Sequence, residues 1–424
     1  MDASYRTLLR QIENAGSCTH PIRLVGEIVN LATGEVGTRA LSVSCKDRRE
    51  QICSACSYLY RADAWILVSA GLVGGKGVPD SVFGHPRIFA TLTAPSFGSV
   101  HVRRNDGMCH ANARGRCLHG VERRCHLRHG EGSSELGAPL CPSCFDYEGA
   151  VTWNAHASRL WHRSVEQMRY DLAAYRGISV PQLRREARIS YLKVAEYQRR
   201  GLVHFHVVLR IDGAGDAFAP PPSWIDVNLL HTRLTNVIVH FELVGLDREV
   251  LRWGRQFDVQ RLAEEDRHDL RVASYVAKYA TKSTSDSIAL ARRFHSRREI
   301  ELQRLDPHLK RMATTAWDLS WRPQLERLHL RHHAHAFGFT GQLITKSRHF
   351  STTFKDLRGS RREYMAQFND ADPVAGTFMY NGRGYDDPRA SEVAELLHQA
   401  RTEVRKVARD QRVMSRGISE DESR

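Results

Sequence analysis

Two histidines one residue apart, His204 and His206, offer the first chemistry in this 424-residue chain. They lie in Gly201–Arg210, Gly-Leu-Val-His-Phe-His-Val-Val-Leu-Arg, which reads as a strand. Residues two apart in a strand share a face, so both imidazoles point one way while Val203, Phe205, Val207 and Leu209 point the other. Two imidazoles on a rigid element can chelate a divalent metal. Taken alone, His-x-His more often marks surface residues of a half-buried strand. A second group is Tyr275, Lys278, Tyr279 and Lys282. On a helix these four fall within an arc of roughly 100°, with Val276, Ala277 and Ala280 opposite. Tyrosine pairs at i,i+4 are common in cores. A core face would not interleave two lysines with the tyrosines, whereas phosphate chemistry would.

The element that must position the histidines is a hairpin. Tyr191–Gln198 (Tyr-Leu-Lys-Val-Ala-Glu-Tyr-Gln) reads as a second strand, joined to the first by Arg199-Arg200-Gly201. A three-residue loop pairs Gln198 with Leu202 and puts Glu196 opposite His204, on the same face. A two-residue loop would put Glu196 opposite Phe205, facing away. The three-residue loop therefore predicts a carboxylate and two imidazoles converging on one point.

Nine cysteines fall in two groups. Cys18, Cys45, Cys53 and Cys56 can supply four thiolates, and Cys-x-x-Cys turns both sulfurs toward one tetrahedral ion. Cys117, Cys125, Cys141 and Cys144 form the second set, with Cys109, His119 and His129 as alternative ligands. Two structural zinc ions are expected. Disulfides compete with this reading but are disfavoured in a reducing compartment.

The N-terminus has no signal-peptide pattern, and the longest apolar stretch, Ala64–Gly75, is too short to span a bilayer; the chain is expected to be cytoplasmic with no membrane partner. Net charge is +14, and Ala291–Glu363 alone carries 16 Lys and Arg against 7 acids. Such a block fits a nucleic-acid surface, although Arg-rich codon usage also raises the count. Gly74-Gly75-Lys76-Gly77 lacks phosphate-loop spacing and reads as a linker. Helices are expected over Tyr58–Gly71, Trp153–Arg176 (ended by Gly177 and Pro181), Trp224–Leu243 and Ala390–Val413, and strands over Arg87–Ala94 and Leu251–Gln260. His332-His333-Ala334-His335 holds a second His-x-His, read as a solvated or DNA-facing basic segment. The element order predicts an α+β fold, an antiparallel sheet with helices on one face.

The His-hydrophobic-His strand followed by Tyr-x-x-x-Tyr-x-x-Lys resembles the HUH endonucleases that initiate rolling-circle replication. A third motif of that family, an apolar strand ending in Thr-Leu-Thr, is matched by Ile88–Thr93, and the three occur in family order. With its cysteine clusters, the chain is most similar to initiators of actinobacterial plasmids and integrative elements. The resemblance implies an N-terminal zinc-binding region (1–85), an HUH nuclease domain (86–286, with a zinc-binding insertion at 97–150) and a mainly helical, basic, DNA-binding C-terminal region (287–424). It implies Mg²⁺ or Mn²⁺ on His204, His206 and Glu196, and attack by Tyr275 or Tyr279, assisted by Lys278 and Lys282. The products would be a 5′-phosphotyrosine and a 3′-OH primer. Thr91, Thr93, Lys346 and Arg348 are expected at DNA. Origin DNA, single-stranded at the nick and duplex for recognition, would be the substrate, with host helicase and polymerase as partners. Related chemistry in a mobilisation relaxase or transposase, and a zinc-containing DNA-binding regulator without catalysis, are the alternatives.

Overall fold

The computed structural model describes residues 3–103, 108–110, 112–262, 271–276, 292–367 and 374–421. In chain order it begins with helix α1 (Ala3–Asn14), strands β1 (Ile22–Asn30) and β2 (Val36–Val43), helix α2 (Ser54–Val73) and strand β3 (Arg87–Leu92). Helices α3 (Tyr147–Arg176) and α4 (Val180–Glu186) follow, then strands β4 (Ala187–Tyr197) and β5 (Val203–Gly213) and helix α5 (Val227–His240). Next come short strands β6 (Leu243–Val244), β7 (Val250–Leu251) and β8 (Asp258–Arg261), and helices α6 (Arg297–Leu302) and α7 (Pro307–Leu319). Strand β9 (Ile344–Lys346), helix α8 (Phe354–Ala366), strand β10 (Val374–Arg383) and helix α9 (Arg389–Asp421) complete it. The fold is α+β with antiparallel sheets, as the element order predicted.

Residues Trp65–Thr353 form one compact unit, built on a five-stranded antiparallel sheet in the order β8-β3-β5-β4-β9. Strand alternation divides its two faces. Val203, Phe205, Val207, Leu209 and Ile211 of β5 join Ile88, Ala90 and Leu92 of β3 in a buried core. Trp153, Leu160, Trp161, Met168 and Leu172 of α3, with Leu230 and Leu234 of α5, close that core from the helical side. Gly177 ends α3 with φ 72°, the left-handed conformation glycine adopts without strain, and Ser179 with Gln182 makes a capping box for α4.

On the other face, Arg87 and Arg210 are partners in register and both fully buried. Arg87 donates to the Leu72 carbonyl at 2.9 Å and Arg210 donates to that of Gly71, so two guanidinium groups satisfy the end of α2. Asp212 neutralises Arg210 through bonds of 2.6 and 3.0 Å and also accepts from Ser190 at 2.6 Å. Burial alone would raise the Asp212 carboxyl, but the His85 Nδ1 contact at 2.8 Å together with these bonds outweighs it and holds the group below its ordinary range.

The other unit, Met1–Ala64 with Phe354–Arg424, contains a three-stranded antiparallel sheet in the order β10-β1-β2. Cys18 after α1, Cys45 after β2, and Cys53 and Cys56 at the start of α2 converge there. Their sulfurs lie 3.6 Å apart for Cys45 and Cys56, and 3.7 Å apart for Cys18 and Cys53. Thiolates on a tetrahedral zinc at about 2.3 Å stand about 3.8 Å from one another, so the cluster has the dimensions of a zinc site.

Two expectations need correction. The boundary at 287 is not a fold boundary: Ile300, Met312, Leu319, Leu325, Leu330, Phe337 and Leu343 belong to the same core as the histidine strand. Among the described residues the region beyond 287 is mainly helical, with β9 extending the central sheet and β10 pairing with β1. The expected strand over Leu251–Gln260 is two short strands, β7 and β8.

Lys193 on β4 is 2% exposed and sits on the core face, its Nζ 3.8 Å from the centre of the Phe205 ring. Burial lowers its pKa to about 7. Because the folded pKa lies below the unfolded one, stability is lost as pH falls from about 10 toward 7 and levels off below. Lys193→Met should therefore raise stability at neutral pH by on the order of 3 kcal/mol and flatten the dependence between pH 7 and 10; denaturant titration at both pH values checks this. Cys53→Ser should release one zinc and lower stability by more than about 3 kcal/mol, read by elemental analysis and thermal unfolding.

Candidate metal centre and nucleophile

The turn Arg199–Gly201 has the three-residue length that the convergence requires. Gln198 N–H donates to the Leu202 carbonyl at 2.8 Å, Tyr197 faces Val203, and Glu196 faces His204. Glu196 Oε2 lies 2.6 Å from His204 Nε2 and 3.1 Å from His206 Nε2. The three side chains offer a ligand set of two imidazoles and a carboxylate. Burial would raise the Glu196 carboxyl, but the bonds from His204 and His206 outweigh it and hold the group below its ordinary range. His206 is 1% exposed at its side chain, and burial pushes its imidazole pKa down, toward the neutral form that binds metal.

Thr91 on β3 faces His206 in register, its Oγ1 3.2 Å from Nδ1. With an ion bound, an Nδ1–H donated to that hydroxyl would free the Nε2 lone pair for the ion beside Glu196, an outer-shell contact that sets tautomer and ring orientation. The Tyr275 ring meets His206 edge-on at 5.2 Å between centroids, and Phe89 at 5.7 Å. Residues 271–276 are helical: Val272, Ala273 and Val276 point inward, while Tyr275 is 41% exposed. Ser274 Oγ accepts from Trp65 Nε1 at 3.1 Å, which ties this turn to α2. Lys278, Tyr279 and Lys282 lie outside the described residues.

Several expected DNA-facing groups are engaged within the protein. The Thr93 hydroxyl donates to the Gln256 carbonyl, and Lys346 Nζ donates to the Ser351 carbonyl at 2.7 Å. Arg348 is exposed. His329–His335 form no metal cluster among the described residues. Burial lowers His335 to about 4, so it is a neutral, packed residue rather than a solvated basic one.

The second cysteine set is distributed differently from the sequence expectation. Cys117, Cys141 and Cys144 gather around His119, whose Nδ1 is 3.2 Å from Cys144 Sγ and 3.8 Å from Cys141 Sγ. Cys125 is not in this group; it lies with His101, Cys109 and His129, its Sγ 3.4 Å from His129 Nε2.

Positioning residues that sequence reasoning missed surround the turn. Asn154 of α3, fully buried, donates to the Gly201 carbonyl at 2.9 Å and accepts from Val203 N–H at 3.1 Å. Arg200 donates to the carbonyls of Ala94 and Pro95 at 3.0 and 3.1 Å, while its own carbonyl accepts from His308 Nε2 at 3.0 Å. One signal was available for Asn154: an amide on the apolar stripe of a helix that otherwise presents Trp153, Leu160 and Trp161.

A family model described as RepSA, replication initiator protein, pSAM2, matches residues 4–399, a span that includes all four ligand clusters. A replication initiator protein from Streptomyces ambofaciens is 36% identical over 440 aligned residues, covering 95% of this chain and 92% of that protein. No solved structure matches. Both sequence matches run nearly end to end, and the chain belongs to the RepSA family of replication initiator proteins.

Proposed function

We propose that this replication initiator nicks and rejoins its origin DNA through a tyrosine nucleophile beside a divalent metal held by Glu196, His204 and His206. The observation that carries the reading is the convergence of those three side chains next to the Tyr275 ring. Their donor atoms lie within 4.8 Å of one another, and the Thr91 contact aims His206 Nε2 at the same point, so the residues fit a cation that keeps positions open for phosphate oxygens. A bound Mg²⁺ or Mn²⁺ would supply Lewis-acid polarisation of the scissile phosphate.

The remaining roles belong to the chain itself. The phenol oxygen of Tyr275 or Tyr279 attacks phosphorus and loses its proton as the new P–O bond forms. The bond to the 3′ oxygen breaks, and that oxygen takes up a proton to become a free 3′-OH. One phosphodiester is exchanged for another, so the reverse attack rejoins strands without ATP. Lys278 and Lys282 are assigned to stabilising phenolate and phosphate charge. Exposed Arg298, Arg304, Arg327, Arg331 and Arg348 keep the positive surplus of the basic block at the surface, which favours DNA contact through the phosphates.

Incubation with Mn²⁺ and a supercoiled plasmid carrying the cognate origin should give open circles with covalently attached protein. His206→Ala should cut that yield about 100-fold or more. Tyr275→Phe with Tyr279→Phe should abolish the adduct while origin binding persists. Peptide mapping of the adduct should find DNA on one of these two tyrosines; an adduct elsewhere, or nicking that survives the double replacement, contradicts the assignment. A protein that binds the origin yet never nicks under any divalent metal would be a regulator instead.

A further inference from the structure

Eight potential ligands between 101 and 144 sort into two groups of four that interleave along the chain. In order, the pairs are His101 with Cys109, Cys117 with His119, Cys125 with His129, and Cys141 with Cys144. The first and third pairs converge on one point, and the second and fourth on another. We propose that His101, Cys109, Cys125 and His129 hold a zinc ion of their own, so that the segment is a cross-braced module with two ions rather than a knuckle with one.

Donor geometry supports this assignment. His129 Nε2 lies 3.1 Å from His101 Nδ1 and 3.4 Å from Cys125 Sγ. Tetrahedral zinc with bonds of about 2.0 Å to nitrogen and 2.3 Å to sulfur sets donor separations of about 3.3 to 3.6 Å for such pairs. Cys109 is fully buried, and Cys125 and His129 are each 7% exposed. An outer shell is also in place. The Val102 N–H donates to Cys109 Sγ at 3.4 Å, as it would to a thiolate. Glu135 holds the far nitrogen of His129, Nδ1, at 3.2 Å, leaving Nε2 for the cluster.

The packing explains why two ions are needed. No Val, Leu or Met among the described residues of 101–144 is buried, and Leu118 is 99% exposed. A segment without an apolar core depends on covalent or metal staples. It nevertheless has to present a defined surface. Arg199 of the β4–β5 turn donates to the carbonyls of Glu131 and Ser133 at 2.6 and 3.1 Å. Gly137 approaches the Arg199 backbone so closely that a Cβ would lie 2.5 Å from the Arg199 carbonyl carbon. This gripping stretch runs between His129, a ligand of one site, and Cys141, a ligand of the other. Each ion would fix one end of it.

Elemental analysis of the full-length chain decides the matter, in a Glu196→Ala, His206→Ala background so that an ion at that site is not counted. Three zinc ions per chain are expected: one on Cys18, Cys45, Cys53 and Cys56, and two in the module. Cys109→Ser should drop below three, and Cys109→His, which restores a donor, should return to three with native-like thermal unfolding. Two ions per chain, or a count unchanged by Cys109→Ser, would overturn the proposal. The background count stands whether or not the serine variant folds.

Discussion

The length and fixation of the Arg199–Gly201 turn is the constraint on which the convergence of Glu196, His204 and His206 depends. Side chains in a strand alternate with a period of two, so a slip of one residue would turn Glu196 away from both imidazoles. Gly201 adopts φ 76°, which closes the turn where a side chain would be strained. Four groups then hold it: Asn154 from α3, His308 from α7, the Arg200 guanidinium on Ala94 and Pro95, and Arg199 on the 131–133 segment. Burial lowers the Arg200 pKa to about 10, which still leaves it charged at neutral pH. The turn is thus clamped from the helical core, from the end of β3 and from the cysteine-rich insertion.

The central sheet separates two kinds of cohesion. Its helix-covered face is apolar apart from Lys193 and packs into the main core. Its other face carries the ligand set and, further along the same strands, the Arg87–Arg210–Asp212 network under the end of α2. Breaking a buried ion pair by removing one partner typically costs 3–5 kcal/mol, roughly, so this network is a strict determinant of how α2 ends on the sheet. Trp65 of the same helix meets Ser274, next to Tyr275. The segment bearing the proposed nucleophile is therefore tied to the element that the arginines anchor.

Local physics made the hairpin, its register and the C-terminal end of α3 legible in the sequence, because turn length, alternation and a terminal glycine act over a few residues; the start of α3, at Tyr147 rather than Trp153, was not. The Cys18, Cys45, Cys53 and Cys56 set was legible for the same reason, being anchored by one Cys-x-x-Cys. Partition of the remaining ligands was not: with five cysteines and several histidines within 44 residues, spacing alone does not say which donors meet. Pairing of β1 with β10 joins segments about 350 residues apart, and no local pattern marks it. Likewise the core contributions of Met312, Leu325 and Phe337 are hidden in a stretch whose charge dominates its reading. Thr91 was noticed as part of an apolar strand ending in Thr-Leu-Thr, but its use as the partner of His206 follows only from the pairing of β3 with β5.

Pulsed electron paramagnetic resonance on protein loaded with one equivalent of Mn²⁺ tests most directly whether the hairpin builds a metal centre. Two nitrogen couplings from the imidazoles of His204 and His206 are expected, falling to one in His204→Ala and vanishing when both are replaced. Bound Mn²⁺ with no nitrogen coupling in the unaltered protein, or couplings that persist in the double variant, would contradict the assignment.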